Sequence, residues 1–319
     1  MRILSNQEYN RIKSIFSLSQ KDLKKAISNL LKKYYTKITE TEEYILAEGE
    51  IPIALVAHLD TIFTEPPQHI YYDIKEATLW SPEGLGADDR AGVYAIINLI
   101  KEGYRPYIIL TTDEEYGGLG ASALAEIPNP WPQVKYLIEL DRRGQCDCVF
   151  YNTHVPDFTK YVESFGFSEA NGSFSDISII CPAWKVCGVN LSVGYMNEHS
   201  YTETWHLNDF FNTYDKVIKM LKDAENAIKF QYNNTKPELY SYAFGKSEHN
   251  DYCYFCGKSL TASELFGARA QSGEYISVCI DCAMNYCDWC KSCGEVYEIN
   301  PQYDDGICSL CKEEGKYDF

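Results

Sequence analysis

IALVAHLD (residues 53–60) and GADDRAG (86–92) are the two stretches on which the reading of this chain turns. The first is a compact apolar run that ends in His58 and Asp60. Such a run reads as a strand buried on both faces, and a polar pair at its end places chemistry at the rim of a sheet. The second sets Asp88 beside Asp89 directly before a segment of helical spacing. Two adjacent carboxylates repel, so the pair calls for a positive charge nearby.

Working outward, further apolar runs at 52–57, 106–112, 134–140 and 188–195 alternate with helical stretches. Over 89–102, Ala91, Tyr94, Ile97 and Ile100 recur at steps of three, and Gly103 is a stop signal. A closing helix is expected over 213–230, a helical segment over 5–33, and two strands joined by a turn over 33–50. Strands alternating with helices predict an α/β sheet covered on both faces. The expected organisation is a catalytic unit over 1–232 with a helical segment at 1–33, a polar linker over 233–250, and a cysteine-rich domain over 251–319.

Polar, metal-competent residues follow the strands: His58 and Asp60, Glu114 and Glu115, Asp141, and shortly after the last strand His199. In open α/β sheets, sites form beyond the carboxyl ends of strands, so these residues converge there with Asp88. Imidazole and carboxylate together suit zinc, with manganese or cobalt as alternatives. Two ions roughly 3.5–4 Å apart need a bridging anion, a role open to Asp88. Asp89 is expected to shape the turn or to pair with Arg90.

The pieces HLDT, GADDRAG, TTDEEYGG, ELD and EHSYTE, in this order over about 51–210, resemble those of the co-catalytic di-zinc exopeptidases and amide hydrolases. That resemblance implies a three-layer α/β/α sandwich on a mixed, mostly parallel sheet. It further implies one zinc on His58 and Asp141, the other on Glu115 and His199, and Asp88 as the bridge. Asp60 would orient the His58 ring. Glu114 would be the general base, taking a proton from the attacking water and passing it to the leaving nitrogen. The interval from Asp141 to His199 is too short for an inserted lid or dimerisation domain. The interval from His58 to Asp88 likewise leaves no room for the extra domain of the large self-assembling aminopeptidases. A single-domain aminopeptidase is therefore the nearest likeness. Tyr195 and Glu203 flank His199 as candidates for touching substrate or orienting the ligand, and Ser175 and Asp176 fall near the pocket or in a turn.

Thirteen cysteines would suggest disulfides in a small secreted domain, but nine crowd into 253–311. The C-x-x-C pairs Cys253/Cys256, Cys279/Cys282, Cys290/Cys293 and Cys308/Cys311 predict two structural zinc ions, shared sequentially as in tandem zinc ribbons. A cross-braced alternative would use Cys287 with Cys290 and leave Cys293 over. Over 233–319, seven Lys and Arg stand against fourteen Asp and Glu, a net of −7, so a phosphate-binding face is disfavoured and a protein partner or a substrate gate is favoured. The whole chain carries −17, which argues against nucleic acid and anionic membranes. Clustered thiols and the lack of a long apolar segment predict a reducing, cytoplasmic setting. The expected activity is removal of N-terminal residues from peptides. The alternatives are a deacylase of N-acylated small molecules or amino acids, and an inactive hydrolase-like adaptor that binds a partner through its zinc ribbons.

Overall fold

The apolar runs pair edge to edge in a computed structural model of the chain, which describes residues 3–151, 153, 155–172, 174–233, 252–258, 265–279, 282–283, 286–290, 296–299, 306–309 and 312. The chain divides into two units, Met1–Thr235 and Lys236–Phe319. In chain order, the first unit runs α1 (Asn6–Phe16), α2 (Gln20–Tyr34), β1 (Ile38–Glu40), β2 (Tyr44–Ala47), β3 (Ile51–His58), β4 (Tyr71–Asp73) and β5 (Thr78–Trp80). It continues with α3 (Ala87–Lys101), β6 (Pro106–Thr111), α4 (Leu119–Ala125), β7 (Tyr136–Arg142), β8 (Asp147–Val149), α5 (Pro156–Glu163) and β9 (Ser168–Glu169). It closes with α6 (Asp176–Trp184), β10 (Cys187–Ser192), β11 (Tyr195–Met196), β12 (Thr204–His206) and α7 (Leu207–Asp223).

The main sheet has the order β1-β2-β6-β3-β7-β10-β8-β9. Its centre, β6-β3-β7-β10, is parallel, while β2 and β8 run antiparallel to their central neighbours. Alternation along each strand divides the apolar residues between two cores. Leu55, Ile138 and Val189 face a layer that includes Phe16, Leu31, Tyr94 and Phe210 of α1, α2, α3 and α7. Val56, Ile109 and Leu137 face Leu124 and Ile180 of α4 and α6. The fold is therefore a three-layer α/β/α sandwich. Parallel strands point their carboxyl ends the same way, which brings His58, the residues after Thr111 and Asp141 to one rim.

A smaller sheet, β11-β12-β5-β4, lies beside the rim. Its inner face buries Trp205 against Phe16, Tyr94 and Phe210, with ring centroids 4.7–5.7 Å apart. Two helix boundaries differ from expectation. Asp88 and Asp89 lie inside α3 but are not helical, so the regular helix begins at Arg90. The closing helix ends at Asp223, because the Lys135 ammonium gathers the carbonyls of Ala224 and Glu225 at 2.8 and 3.1 Å, together with that of Ala227. A cation on the last carbonyls caps the helix. In the second unit, β13 (Leu265–Arg269), β14 (Tyr275–Cys279), β15 (Cys287–Trp289) and β16 (Val296–Glu298) form a sheet in the order β14-β13-β16-β15. Beyond its first position, the expected linker at 233–250 lies outside the described residues. Among the described residues, no helix is long and apolar enough to cross a membrane.

The last glycine of GADDRAG sets how closely α3 approaches the sheet. A Cβ on residue 92 would lie 2.5 Å from the Leu140 carbonyl oxygen and 2.6 Å from the Asp89 carboxylate. Neither the strand backbone nor the buried aspartate can yield cheaply. Gly92→Ala is therefore expected to destabilise the full chain by about 1–3 kcal/mol, as overpacking does. Urea unfolding monitored by tryptophan fluorescence measures it, and an unchanged midpoint would refute the close-approach argument.

Candidate metal centre

Each strand end delivers one piece of the centre. His58 closes β3 and is buried; its Nδ1 lies 3.2 Å from Asp60 and its Nε2 3.0 Å from Asp88 and 3.6 Å from Asp141. His199, on the loop between β11 and β12, places its Nε2 3.3 Å from the other oxygen of Asp88 and 3.0 Å from Glu115. Two donor groups result, His58/Asp88/Asp141 and Asp88/Glu115/His199, each with its ligand atoms within 4.8 Å of one another. Asp88 belongs to both. His58 forms the floor, while the His199 side chain is 49% exposed at the mouth.

The candidate ligands are held largely through their backbones by buried polar side chains. Asp60 accepts the N–H groups of Glu114 and Glu115, at 3.1 and 3.0 Å, as well as facing His58. Glu203 accepts the N–H groups of Gly86 and Asp88, at 2.6 and 3.1 Å, and so ties the His199 loop to the bridging position. Asn190 accepts the Asp141 N–H at 3.0 Å and donates to its carbonyl at 2.6 Å. Asp89 is fully buried, accepting the N–H groups of His58 and Gly92 at 3.3 and 2.9 Å. It shapes the turn. The alternative pairing with Arg90 is not formed, since that guanidinium donates to the carbonyls of Leu59 and Leu18.

Tyr195 and Glu203 are buried and occupied by the protein's own atoms: the Tyr195 hydroxyl donates to Asp141 at 3.0 Å. Of the two roles expected of them, these contacts fit that of orienting the centre. Ser175 and Asp176 start α6 rather than sitting in a free turn; Ser175 donates to Glu139 and Thr111 donates to Asp176. Asn190 and Glu139 were missed in the sequence. Their signal was a polar residue inside an otherwise apolar strand, which requires a buried partner.

Carboxylates outnumber cations here, and the electrostatics reflect it. Burial pushes the Glu114 carboxyl up to about 8; His58 opposes this, while Asp176, Asp88 and Glu115 add to it. Burial alone would raise Asp88, but hydrogen bonds from His199 and His58 hold it below the usual carboxylate range. Those bonds to Asp88 and Glu115 raise His199 to about 10. Glu115 also keeps one oxygen buried without a partner. Carboxylates that push His58 and His199 upward give the pocket the negative charge that suits divalent cations, and nitrogen with oxygen suits a borderline ion such as zinc.

In the second unit, Cys253, Cys256, Cys279 and Cys282 bring their sulfurs within 4.8 Å of one another. The Cys279 N–H donates to the Cys253 sulfur at 3.3 Å. Burial would raise the Cys253 thiol, but hydrogen bonds from Cys256 and Cys279 outweigh it and leave it at about 6. Cys290 and Cys308 are buried together, with the Cys308 N–H 3.3 Å from the Cys290 sulfur; Cys293 and Cys311 lie outside the described residues. Cys287 packs half-buried against the first cluster, and burial pushes its thiol up to about 11.

Solved peptidases share this α/β fold. A tripeptidase from Staphylococcus aureus superposes with a TM-score of 0.58 at 13% identity, covering 70% of this chain and 100% of its own. The aminopeptidase PepT from Bacillus cereus gives 0.53 at 15% identity, covering 70% and 99%. The Pyrococcus horikoshii TET1 peptidase, which can assemble into a tetrahedron or a large octahedral shell, gives 0.51 at 16% identity, covering 66% and 98%. No protein-family model and no curated protein matches the chain in sequence.

Asn190 is the clearest test of whether these clamps matter. Removing a group that orients a metal ligand typically costs about 10–100-fold in affinity. Asn190→Ala is expected to weaken metal retention by that factor in chelator competition, with Asp88→Asn as the stronger comparison. Equal retention by native protein and Asn190→Ala would show that the strand alone positions Asp141.

Proposed function

We propose that the first unit is a metal-dependent peptide hydrolase, and specifically an aminopeptidase working with two divalent ions. The observation that carries this reading is Asp88 shared between two histidine-containing donor groups, with Glu114 beside them. His58, Asp141 and Asp88 would hold one ion and Glu115, His199 and Asp88 the other. When bound, such a pair polarises a carbonyl and lowers the pKa of water.

The chain's own residues supply the proton chemistry. Glu114 takes a proton from the attacking water and returns it to the leaving amine nitrogen, so its carboxyl must exist in both states during a turnover. Its neighbour Glu115 is drawn to His199 and cannot share that task. Asp60 fixes the Glu114 backbone and the His58 ring at once, which keeps base and floor in register. Tyr195 holds the Asp141 carboxylate in place.

The second unit is read as a structural zinc domain. Cys253, Cys256, Cys279 and Cys282, whose sulfurs lie within 4.8 Å of one another, would hold one zinc ion, and the sequential pairing would give Cys290, Cys293, Cys308 and Cys311 to the other. Filled by four thiolates, neither ion would have room for a substrate, and folding of so short a segment would depend on them.

Two measurements test these assignments. A mixed peptide library incubated with metal-loaded protein is expected to lose single N-terminal residues by mass spectrometry. Glu114→Gln should retain its metals and lose activity by about 10²–10⁴-fold. Cleavage of N-acyl amino acids without any peptide cleavage would replace the peptidase reading by the deacylase one. Separately, Cys293→Ser should lower the zinc content by one and Cys287→Ser should leave it unchanged; the reverse pattern would establish the cross-braced alternative.

A further inference from the structure

Three successive residues lead from β6 to the candidate base, and each is held by a different part of the fold. Thr112 gives its N–H and its hydroxyl to the Glu43 carbonyl, at 2.8 and 2.9 Å. Asp113 is held by Gln20, the first residue of α2: the Gln20 amide donates to the Asp113 carboxylate at 2.9 Å and accepts the Asp113 N–H at 3.2 Å. Glu114 gives its N–H to Asp60 at 3.1 Å. The Asp113 backbone lies in the left-handed region, with φ of 56°. Aspartate enters that region more readily than most residues but still at a cost, and it stays there only where its surroundings hold it.

Gln20 is not needed by its own helix end. The cap of α2 is Ser19, whose side chain accepts the Asp22 N–H. The Gln20 amide reaches instead to a residue 93 positions away. A primary amide offers a donor and an acceptor side by side, which matches the carboxylate and the N–H of a single aspartate. The turn before α2 is tied down as well: the Leu18 carbonyl accepts from Arg90 at 3.0 Å, and the same guanidinium donates to the carbonyl of Leu59, between His58 and Asp60. The start of α2 is thus bonded directly to the base loop and, through Arg90, to the strand end that carries His58. With Asp113 fixed by Gln20 and Glu114 by Asp60, the peptide unit between them is gripped at both ends.

We propose that Gln20 is a positioning residue for Glu114: it fixes the turn that aims the base, which makes the helical segment before the sheet a working part of the centre as well as of the core. The inference rests on the peptidase reading above and adds a residue to its machinery. Glu115 has a hold of its own, because His199 lies 3.0 Å from its carboxylate. Among the described residues, no hydrogen bond or ion pair holds the Glu114 carboxylate, so its aim is set through its backbone. Loss of Gln20 should therefore reach the base and spare the metal ligands. A reacting group displaced by about 1 Å costs about 10²-fold in rate.

The experiment measures kcat, KM and bound metal for full-length, metal-loaded variants, on a peptide that the native protein cleaves from a mixed library. Gln20→Glu keeps the shape but replaces the donor by a second negative charge facing Asp113, and it is expected to lower kcat by about 10–100-fold with KM and bound metal unchanged. Adding Asp113→Asn restores a donor opposite the new carboxylate, and asparagine tolerates the left-handed turn as aspartate does. The pair should return kcat to within about threefold of native, the coupling expected of residues in direct contact. Gln20→Ala removes both bonds without adding charge; it should lower kcat by about tenfold and serves if the charged variant does not fold. Unchanged kcat in Gln20→Glu or, where that variant does not fold, in Gln20→Ala overturns the proposal and leaves the peptidase reading intact. So does a loss that the paired Asp113→Asn does not recover, or one that tracks loss of bound metal, which would make Gln20 a support of Glu115. Failure of the native protein to cleave any peptide of the library overturns the peptidase reading and this inference with it.

Discussion

Asp88 lies between two imidazoles, 3.0 Å from His58 and 3.3 Å from His199, and the architecture of the first unit follows from keeping it there. A carboxylate so placed is surrounded by others: Asp60, Asp89, Glu114, Glu115, Asp141 and Glu203 are all close by in the fold. Concentrating that much negative charge in a poorly solvated pocket is strongly unfavourable unless cations or protons compensate. In this chain the compensation is of two kinds. His58 and His199 are driven toward their charged forms, while Asp89, Asp141 and Glu139 are driven toward their neutral ones. Divalent ions would relieve both at once.

The same crowding explains why so many polar side chains bind backbone rather than each other. A ligand on a loop has freedom to turn away from repulsion, and only a fixed backbone prevents it. Asp60 and Glu203 each spend both carboxylate oxygens on N–H groups of ligand-bearing loops, and Asn190 spends both ends of its amide on Asp141. Accepting N–H groups lets a buried carboxylate remain near other carboxylates at lower cost. Gly92 completes the arrangement from below, because it lets α3 lie against the carbonyl of Leu140, the residue before Asp141.

The sheet was legible because buried parallel strands are written as short apolar runs, and the four runs at 52–57, 106–112, 134–140 and 188–195 correspond to β3, β6, β7 and β10. The residues gathered at the rim were legible for a related reason: polar groups at the ends of such runs must converge wherever parallel strands end together. The roles of Tyr195 and Glu203 were not. Sequence places them beside His199 but is silent on direction, and period-2 alternation in a two-residue strand such as β11 is too short to reveal which side faces in. The non-helical start of α3 was hidden for a similar reason, since this stretch is held by Glu203 on the Gly86 and Asp88 N–H groups and by Asp89 on those of His58 and Gly92, ties that for the most part join residues far apart in the chain. The end of α7 depends on Lys135, ~90 positions away along the chain, and no local pattern encodes that.

The two units offer opposite donor chemistry, and the contrast bears on what each could do. Four thiolates from two tight turns would saturate a tetrahedral ion, so the cluster around Cys253 would stabilise a fold without admitting a reactant. The rim of the first unit brings one imidazole and two carboxylates together in each donor group, with His199 half exposed at the mouth, and ions held there would keep positions free for water and a carbonyl oxygen. Such openness would carry a structural requirement of its own. A centre with free coordination positions would have to be held by something other than the metal, a part that the buried carboxylates and amide fixing its backbone from behind can play. The smaller sheet meets a related requirement: its inner face anchors the His199 hairpin through Trp205, which stacks on Phe16 and lies opposite Tyr195 and Leu79 in the ladder.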